Sequence, residues 1–279
     1  MSNPYLPQLA LIKTITEETG NIRTFTISFK AKTPFDPQPG QFIELSLFGL
    51  GEFPVSIAKV IDPAAGIFET TIRRVGGVTE GIADLRVNST VGVRGPFGKG
   101  YPLEKLDGKD VILVAGGLGM ASIKYLADCL LKNRDRYGRI ILLYGAATPD
   151  DVLYKNSPSL FQSETKERPL EAFITVDKAD NGWKGKVGMV TDLIDKIKPA
   201  LDISRSMVAA CGPSKMMKAV VDRFSKAGFQ GEQLLLSLER RMQCGIGICG
   251  HCMMGEKRVC KDGPVISFYD VKDTLEELF

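Results

Sequence analysis

Histidine is almost absent from this chain of 279 residues, in which His251 is the only one. It stands between two cysteines, so the single histidine base lies inside a cysteine-rich loop. A hydrolase with a Ser/His/Asp or Cys/His arrangement needs a histidine beside its nucleophile, and the composition therefore disfavours such an enzyme. A Rieske-type site is excluded, because it requires two histidine ligands.

Excess charge and long apolar runs are also missing. With 36 basic and 33 acidic residues, the formal net charge is +3, too small and too evenly spread to indicate nucleic-acid or membrane binding. The longest apolar stretches, at 111–115 and 140–144, are far shorter than the roughly 20 residues that span a bilayer. The N-terminal residues contain two prolines and no basic-then-apolar run, so we expect no secretory signal and a cytoplasmic protein.

Cysteine is unevenly distributed, since four of the six cysteines fall in one C-terminal segment: Cys244, Cys249, Cys252 and Cys260. The spacing of the first three, C-x4-C-x2-C, is that of plant-type [2Fe-2S] ligation. Glycines between them allow positive φ angles, which let the backbone curl with its N–H groups directed at sulfur. A zinc site with four cysteine ligands is the alternative, although structural zinc modules usually have two C-x2-C pairs. We predict an iron–sulfur cluster, held by these four cysteines in a reducing compartment.

Residues 9–93 have the pattern of short strands separated by turns. Phe25, Ile27 and Phe29 alternate with polar residues, and the same period of two recurs after a proline- and glycine-containing turn at 37–40. We predict further strands at 55–60, 67–75 and 91–94, and one helix at 79–85 capped by Thr79. This pattern predicts a small antiparallel barrel or sandwich.

After a turn-rich stretch at 95–102, the pattern changes to alternating strands and helices. The continuous apolar run at 111–115 indicates a buried parallel strand. Further strands are predicted at 140–144, 170–176, 207–210 and 234–238, and helices at 120–131, 190–197 and 214–227. Together they predict a doubly wound parallel sheet of about five strands. Cys129 is interpreted as a buried core residue of the first helix, and a C-terminal helix at 267–279 is expected to bury Val271, Leu275 and Leu278 against this chain or a partner.

Two glycine turns mark the expected nucleotide site. Gly116-Gly-Leu-Gly119 follows the first parallel strand, where glycine lets a pyrophosphate approach backbone N–H groups at the start of a helix. The pattern is not G-x-G-x-x-G, and a simple strand-to-helix turn is the alternative. Cys211-Gly-Pro213 follows another strand, so we expect it at the same carboxyl edge of the sheet.

In their order along the chain, these motifs resemble the ferredoxin–NADP reductase superfamily. The resemblance rests on Pro39-Gly-Gln-Phe42, Phe53-Pro-Val-Ser56, Arg73-Arg-Val-Gly-Gly-Val-Thr79, Gly95-Pro-Phe-Gly98, Tyr144-Gly-Ala146 and the two glycine turns. With the cysteine segment added, the chain is similar to the flavin and iron–sulfur subunits of that group. These are the gamma subunit of sulfhydrogenases, the B subunit of anaerobic sulfite reductase and the electron-transfer subunit of dihydroorotate dehydrogenase.

The resemblance implies an FAD site on the N-terminal strands. Its implied residues are Phe53, Pro54, Val55, Ser56, Ile72, Arg73, Arg74, Gly77, Val78 and Thr79. The Ser56 hydroxyl is expected near flavin N5. The arginine that usually begins this motif is absent, so we expect Arg73 or Arg74 to neutralise the pyrophosphate. Val55 replaces an aromatic residue that often stacks on the flavin, which leaves FMN as an alternative.

The resemblance likewise implies a nicotinamide nucleotide at the edge of the parallel sheet. Its implied residues are Gly116, Gly117, Gly119, Met120, Gly145, Ala146, Asp177, Cys211, Gly212 and Pro213. Cys211 is expected near the nicotinamide and Glu239 near the flavin–nicotinamide contact, and with Ser56 they are the implied catalytic residues. Ala147 stands where many relatives carry a charged residue, so NAD and NADP both remain open.

The implied protein is an oxidoreductase of class β + α/β in three parts. These are an FAD-binding antiparallel β-barrel over 1–104, a doubly wound NAD(P)-binding domain over 105–232 and a small [2Fe-2S] module over 233–279. NAD(P)H would give a hydride to the flavin, which would pass single electrons to the cluster. The implied partners are larger redox subunits with further iron–sulfur clusters and the terminal active site, of hydrogenase or sulfite reductase type. The alternatives are a dihydroorotate dehydrogenase electron-transfer subunit, a bifurcating reductase subunit, or a non-enzymatic regulatory subunit stabilised by zinc.

Overall fold

The computed structural model describes residues 3–155, 170–180 and 182–274. The chain divides into two compact units, Met1–Gly100 with Leu238–Val265, and Tyr101–Ser237 with Ile266–Phe279. The cysteine segment therefore packs in the same unit as the N-terminal strands. The functional division at residues 104 and 232 stays a prediction. Within the described ranges, no helix has both the length and the apolar character needed to cross a membrane.

The first unit contains a closed antiparallel barrel with the strand order β1-β2-β5-β4-β3-β6. Its strands are β1 (Gln8–Thr19), β2 (Ile22–Phe29), β3 (Phe42–Leu47), β4 (Gly51–Asp62), β5 (Ile67–Arg73) and β6 (Thr90–Phe97). The predicted alternation is confirmed in β2, where Phe25, Ile27 and Phe29 are all buried. Successive side chains of a strand point to opposite faces, so this period places one face in the barrel interior.

One helix, Gly77–Ala83, accompanies the barrel and begins two residues earlier than predicted. Gly76, not Thr79, is the residue that caps it. The Thr79 hydroxyl instead accepts from the Val75 and Gly76 N–H groups (3.0 and 2.9 Å) and donates to the Gly76 carbonyl (2.8 Å). Ile82 is buried as predicted, whereas Leu85 is only half-buried because it lies beyond the helix end.

The parallel sheet has the strand order β10-β9-β8-β7-β11-β12-β15. Its strands are β7 (Asp110–Gly116), β8 (Ile140–Ala146), β9 (Leu170–Val176), β10 (Lys186–Val187), β11 (Ser206–Cys211), β12 (Leu234–Ser237) and β15 (Val265–Ser267). The pairs β10–β9, β9–β8, β8–β7, β7–β11 and β11–β12 are parallel. The five predicted strands are confirmed, and the sheet gains β10 and β15 at its edges. These two are only two and three residues long, too short to show a hydrophobic period.

Helices and short turns connect the strands. In the described residues after the barrel, the α-helices are Leu103–Leu106, Met120–Lys132, Val190–Ile197, Ser214–Lys226 and Val259–Asp262. The last of these lies in the cysteine segment, which also contains the short strands β13 (Met253–Met254) and β14 (Lys257–Arg258). Single 3₁₀ turns occur at Gly117–Gly119, Arg134–Arg136, Pro149–Asp151, Lys198–Ala200, Ile203–Arg205, Gly231–Gln233, Phe268–Asp270 and Lys272–Thr274. Cys129 is half-buried and not a core residue as predicted, because it follows the half-buried Asp128 at the margin of the buried face of its helix.

The predicted C-terminal helix is wrong in its described part. The segment begins as β15 and continues as two 3₁₀ turns. Ser267 ends the strand, since its hydroxyl donates to the Gly231 carbonyl (3.1 Å) and accepts from the Tyr269 N–H (3.3 Å). Val271 is buried against this chain, and Leu275 and Leu278 lie outside the described residues.

Candidate functional site

The residues predicted to bind a nicotinamide nucleotide meet at one edge of the parallel sheet. The register pairs Gly116 with Gly145, Ala115 with Cys211, and Ala146 with Val176. In the sheet, β8 lies on one side of β7 and β11 lies on the other. The strand order therefore changes direction between β7 and β11, which is the switch point of the sheet. Doubly wound folds bind ligands in the crevice at this point.

The two glycine turns at this edge pack backbone to backbone. A Cβ at Gly119 would overlap the carbonyl of Cys211 and lie 2.8 Å from the Gly212 nitrogen. Gly117 has a φ of +51°, in the left-handed region that favours glycine. The helix Met120–Lys132 then starts with its free N–H groups at the same place. A turn with no side chains at a helix start fits a pyrophosphate, so the residues present fit a nicotinamide nucleotide.

Two side chains that were not among the predicted binding residues shape this edge. The Met216 side chain lies against Gly116 and Gly212, where any Cβ would meet its sulfur or terminal methyl group. The buried Tyr144 hydroxyl donates to the Gly117 carbonyl (3.4 Å) and accepts from the Leu153 N–H (3.1 Å), which holds the glycine turn in place. Tyr144 belongs to a motif quoted for the resemblance, but no pattern in the sequence indicates its bond to Gly117.

Cys211 lies in a buried polar pocket of the second unit. It is 3% exposed. The fully buried Tyr101 hydroxyl is close to Ser122, Ser237 and Cys211, yet Tyr101 Oη and Ser122 Oγ complete no hydrogen bond within the described part of the chain. Burial, reinforced by Cys211, raises the pKa of Tyr101 far above its usual value, so its hydroxyl stays neutral. By contrast, Asp177 is exposed after β9, and its N–H donates to the Ala146 carbonyl (3.0 Å).

The residues predicted to bind FAD lie on β4, at the end of β5 and in the following turn. Each of the residues 53–56 is half-exposed. In a strand packed on one face, buried and exposed residues would instead alternate. Val78 lies beside the start of β4, 3.3 Å from a Cβ built on Gly51. Gly76 and Gly77 have open space around them, and Arg73 and Arg74 precede them, half-exposed and exposed. An open glycine turn beside two arginines fits a pyrophosphate, so these residues fit FAD.

Glu239 is near Arg73 in the first unit. Part of the side chain is exposed, yet the carboxylate is desolvated enough for its pKa to be raised, and Arg73 opposes that shift. Ile72, also predicted at the flavin, is buried inside the barrel wall. The structure thus brings Arg73 and Glu239 together, and the role of each residue stays a prediction.

The four predicted ligand cysteines form two pairs. The Cys252 and Cys260 sulfurs are 3.2 Å apart, and the Cys244 and Cys249 thiols are close enough to influence each other's pKa. Cys244 is also close enough to Cys260 to raise its pKa. The glycines at 245, 247 and 250 have positive φ angles, as predicted. Among residues 3–155, 170–180 and 182–274, no three Cys, His, Asp or Glu side chains form a group around a single metal-ion position.

Backbone N–H groups are directed at the sulfurs of this segment. The Gly247 N–H donates to Cys260 Sγ (3.1 Å), and those of Ile248 and Cys249 donate to Cys244 Sγ (3.4 and 3.5 Å). Burial opposes ionisation of Cys244, but its N–H donors prevail and lower its pKa. Burial and the neighbouring Cys252 thiol raise the pKa of Cys260 to about 12. Two thiol pairs surrounded by N–H donors fit a two-iron cluster, whose cations would stabilise all four as thiolates.

Comparisons with known proteins agree with this arrangement. Residues 113–222 match the family described as "Oxidoreductase NAD-binding domain", and residues 239–272 match "Iron-sulfur cluster binding domain of dihydroorotate dehydrogenase B". The chain is 35% identical to the gamma subunit of sulfhydrogenase 1 from Pyrococcus furiosus, over 85% of this chain and 81% of that protein. It is 33% identical to a probable dihydroorotate dehydrogenase B (NAD(+)) electron transfer subunit from Methanocella arvoryzae, over 93% and 90%. The solved structure of an NADH-dependent reduced ferredoxin–NADP oxidoreductase, studied for flavin-based electron bifurcation, matches 100% of this chain and 94% of its own with a TM-score of 0.75 and 25% identity.

Proposed function

The chain belongs to the family of electron-transfer subunits that includes those of sulfhydrogenases and dihydroorotate dehydrogenase B, within the ferredoxin–NADP reductase superfamily, and from this premise we propose that it moves electrons between NAD(P)H, FAD and a [2Fe-2S] cluster for a larger redox complex. It is an oxidoreductase. When bound, FAD exchanges hydride with NAD(P)H and single electrons with the cluster, because nicotinamide carries electrons in pairs and the cluster takes one at a time.

The cysteine segment is the observation that carries this proposal. Its four thiols form two pairs, and the N–H groups of Gly247, Ile248 and Cys249 donate to sulfurs in both pairs. Such donors stabilise negative charge on the ligands and tune the reduction potential of a bound cluster. Cys244, Cys249, Cys252 and Cys260 are the proposed ligands.

The glycine edge of the parallel sheet binds the nicotinamide nucleotide in this proposal. Gly117 and Gly119 present backbone N–H groups to the pyrophosphate, and Tyr144 holds the turn through the Gly117 carbonyl. Cys211 lies beside them and is buried. The hydroxyl groups of Tyr101, Ser122 and Ser237 close to it are neutral. The protein's contribution is to position the nucleotide, and no general base is required.

FAD is proposed to lie along β4 of the barrel. Arg73 and Arg74 supply positive charge to its pyrophosphate, next to the open turn at Gly77. Ser56 offers its hydroxyl to the flavin ring. The peptide carbonyl of Ser56 is already used by the Thr70 hydroxyl (3.0 Å), which fixes the strand at this residue.

The proposed partners are larger redox subunits with further iron–sulfur clusters and a terminal active site, and similarity to the gamma subunit of a sulfhydrogenase supports membership of such a complex. A dihydroorotate dehydrogenase or a bifurcating reductase is the alternative complex, supported by similarity to such proteins. Four of the six cysteines are better explained as metal ligands than as disulfides, which supports the cytoplasm as the compartment.

Anaerobic purification from the native source tests the proposal. We expect stoichiometric FAD, two irons and two sulfides per chain, and co-purifying redox subunits that mass spectrometry identifies. The visible spectrum is expected to bleach on addition of NADH or NADPH. Colourless protein with one zinc per chain would refute the redox function and favour a zinc-stabilised regulatory subunit. A coloured chain that alone reduces sulfite or protons at a high rate would refute the need for partners.

A further inference from the structure

Arg94, on β6 of the barrel, is buried and bonded in three directions. Its side chain is 3% exposed, and its Nε and one terminal nitrogen bond the two carboxylate oxygens of Glu52 (3.0 and 2.6 Å). The other terminal nitrogen donates to two carbonyls, those of Pro4 (3.0 Å) and Cys244 (3.1 Å). One guanidinium thus connects β4, the N-terminal segment and the first proposed cluster ligand.

The cysteine segment lies closely on the barrel beside this arginine. A Cβ at Gly245 would lie 3.0 Å from Glu44 Oε1 and 3.2 Å from the Phe97 ring, which is tighter than most such contacts, and the φ of +71° also favours glycine. Glu44 is paired with Arg94 in the register of β3 and β6, and the guanidinium lies 5.5 Å from the centre of the Phe97 ring. We call Glu44, Arg94 and Phe97 the platform.

The barrel alone does not require a buried arginine at this position. Burying an ion pair costs desolvation energy, and well-packed apolar residues in its place are often equally or more stabilising. The Glu52 pair occupies two of the guanidinium nitrogens, while the third bonds only to backbone outside the barrel strands. Arginine suits such a site because its planar fork keeps both sets of bonds at once, which a lysine ammonium cannot do.

We propose that Arg94 is a positioning residue of the iron–sulfur site, which fixes the Cys244 ligand through its carbonyl and thereby sets the retention and spectroscopic signature of the cluster. The Cys244 carbonyl is bonded by the buried guanidinium, and the next residue, Gly245, lies on the platform with a φ of +71°. The peptide that joins Cys244 to Gly245 is therefore held by the barrel. The inference rests on the proposed function, since it requires a cluster on these cysteines.

The test compares Arg94→Lys with a matched control, Arg23→Lys, in the complete protein with its cofactors. Arg23 is on β2 of the same barrel and also bonds one glutamate, Glu17, and one carbonyl, that of Ala83. In Arg94→Lys we expect loss of iron to a chelator to be at least about fivefold faster, as for a change of roughly 1 kcal/mol. The g-values of the reduced cluster are also expected to shift, while the flavin spectrum stays as in the wild type. Arg23→Lys is expected to change neither cluster signal.

A second variant, Glu52→Gln, keeps Arg94 but weakens the bonds that aim it. Its cluster signals are expected to fall between those of the wild type and Arg94→Lys, and it decides the matter if Arg94→Lys does not fold. Unchanged chelator kinetics and g-values in the folded variants would overturn the inference. Parallel loss of flavin and cluster in both variants would also overturn it, because the role would then be structural. Wild-type protein without iron and sulfide would instead refute the proposed function.

Discussion

Replacing Glu44 with glutamine is expected to stabilise the protein at pH 8 and to leave its stability at pH 5 nearly unchanged. Glu44 is 1% exposed, and its Oε1 has no hydrogen-bond partner within the described residues. Burial, and then the nearby Glu52, raise the pKa of Glu44 from 4.5 to about 8, against the effect of Arg94. The carboxyl group is therefore neutral in the folded protein at pH 7, and glutamine imitates its shape.

The sign of the effect follows from proton linkage. Because the folded pKa is above the unfolded one, the folded state binds the proton more tightly, and stability falls as the pH rises from about 4.5 to about 8. At about 1.4 kcal/mol per pH unit, the full loss is at most about 5 kcal/mol. Relaxation around the carboxylate and the Arg94 charge reduce it, and we expect about 2–3 kcal/mol. The glutamine variant does not titrate here and avoids this loss.

Thermal unfolding of the anaerobically purified protein between pH 5 and pH 9 measures the effect. The midpoint of Glu44→Gln is expected to exceed that of the wild type by roughly 5 °C at pH 8, and the difference is expected to shrink towards pH 5. Glu80→Gln, at an exposed position of the helix Gly77–Ala83, is the control for loss of a carboxylate. A difference that does not grow with pH, or a less stable Glu44→Gln at pH 8, would refute the reasoning.

Three further changes test the two proposed sites. Gly119→Ala places a methyl group against the Cys211 carbonyl, an overpacking that costs about 1–3 kcal/mol. We expect NADH or NADPH binding, measured by fluorescence titration, to weaken about tenfold. Unchanged affinity would contradict the packing argument. Cys252→Ala is expected to remove the cluster absorbance yet leave flavin reduction by NAD(P)H measurable in stopped flow, and a retained cluster would exclude Cys252 as a ligand. Cys211→Ala is expected to do the reverse, slowing flavin reduction about tenfold or more at full iron content, and wild-type rates would remove Cys211 from the site.

Much of the fold could be predicted from the sequence because its main elements have a clear hydrophobic period. The strand Ile22–Phe29 alternates, and the strand Asp110–Gly116 contains the continuous apolar run 111–115, which is completely buried. The edge strand Lys186–Val187 was not predictable, since two residues show no period. The C-terminal helix was wrong for a different reason: its first residue, Ser267, ends a short strand at the other edge of the sheet, and the described residues after it form two 3₁₀ turns.

The candidate site was predictable where chemistry depends on local spacing. The cysteine segment and the turn Gly116-Gly-Leu-Gly119 are each contained in a short stretch, and the structure brings their residues together. Long-range partners were not predictable. The bond from Arg94 to the Cys244 carbonyl spans 150 residues, and Met216 packs on Gly116 from a helix about one hundred residues later. A single sequence contains no pattern that connects such positions.

Glu52, near the start of β4, links the altered FAD motif to the proposed cluster ligand Cys244 through Arg94. The resemblance leads one to expect an arginine near Phe53 for the FAD pyrophosphate, but this chain has Glu52, whose two carboxylate oxygens are both bonded by Arg94. A glutamate there would repel a pyrophosphate if it were unpaired, and the bidentate pair with Arg94 offsets that negative charge. The same pair orients the guanidinium towards the Cys244 carbonyl. We therefore propose that this one ion pair both masks the carboxylate in the altered FAD motif and orients Arg94 towards the cluster ligand, with Arg73 and Arg74 as the proposed partners of the pyrophosphate.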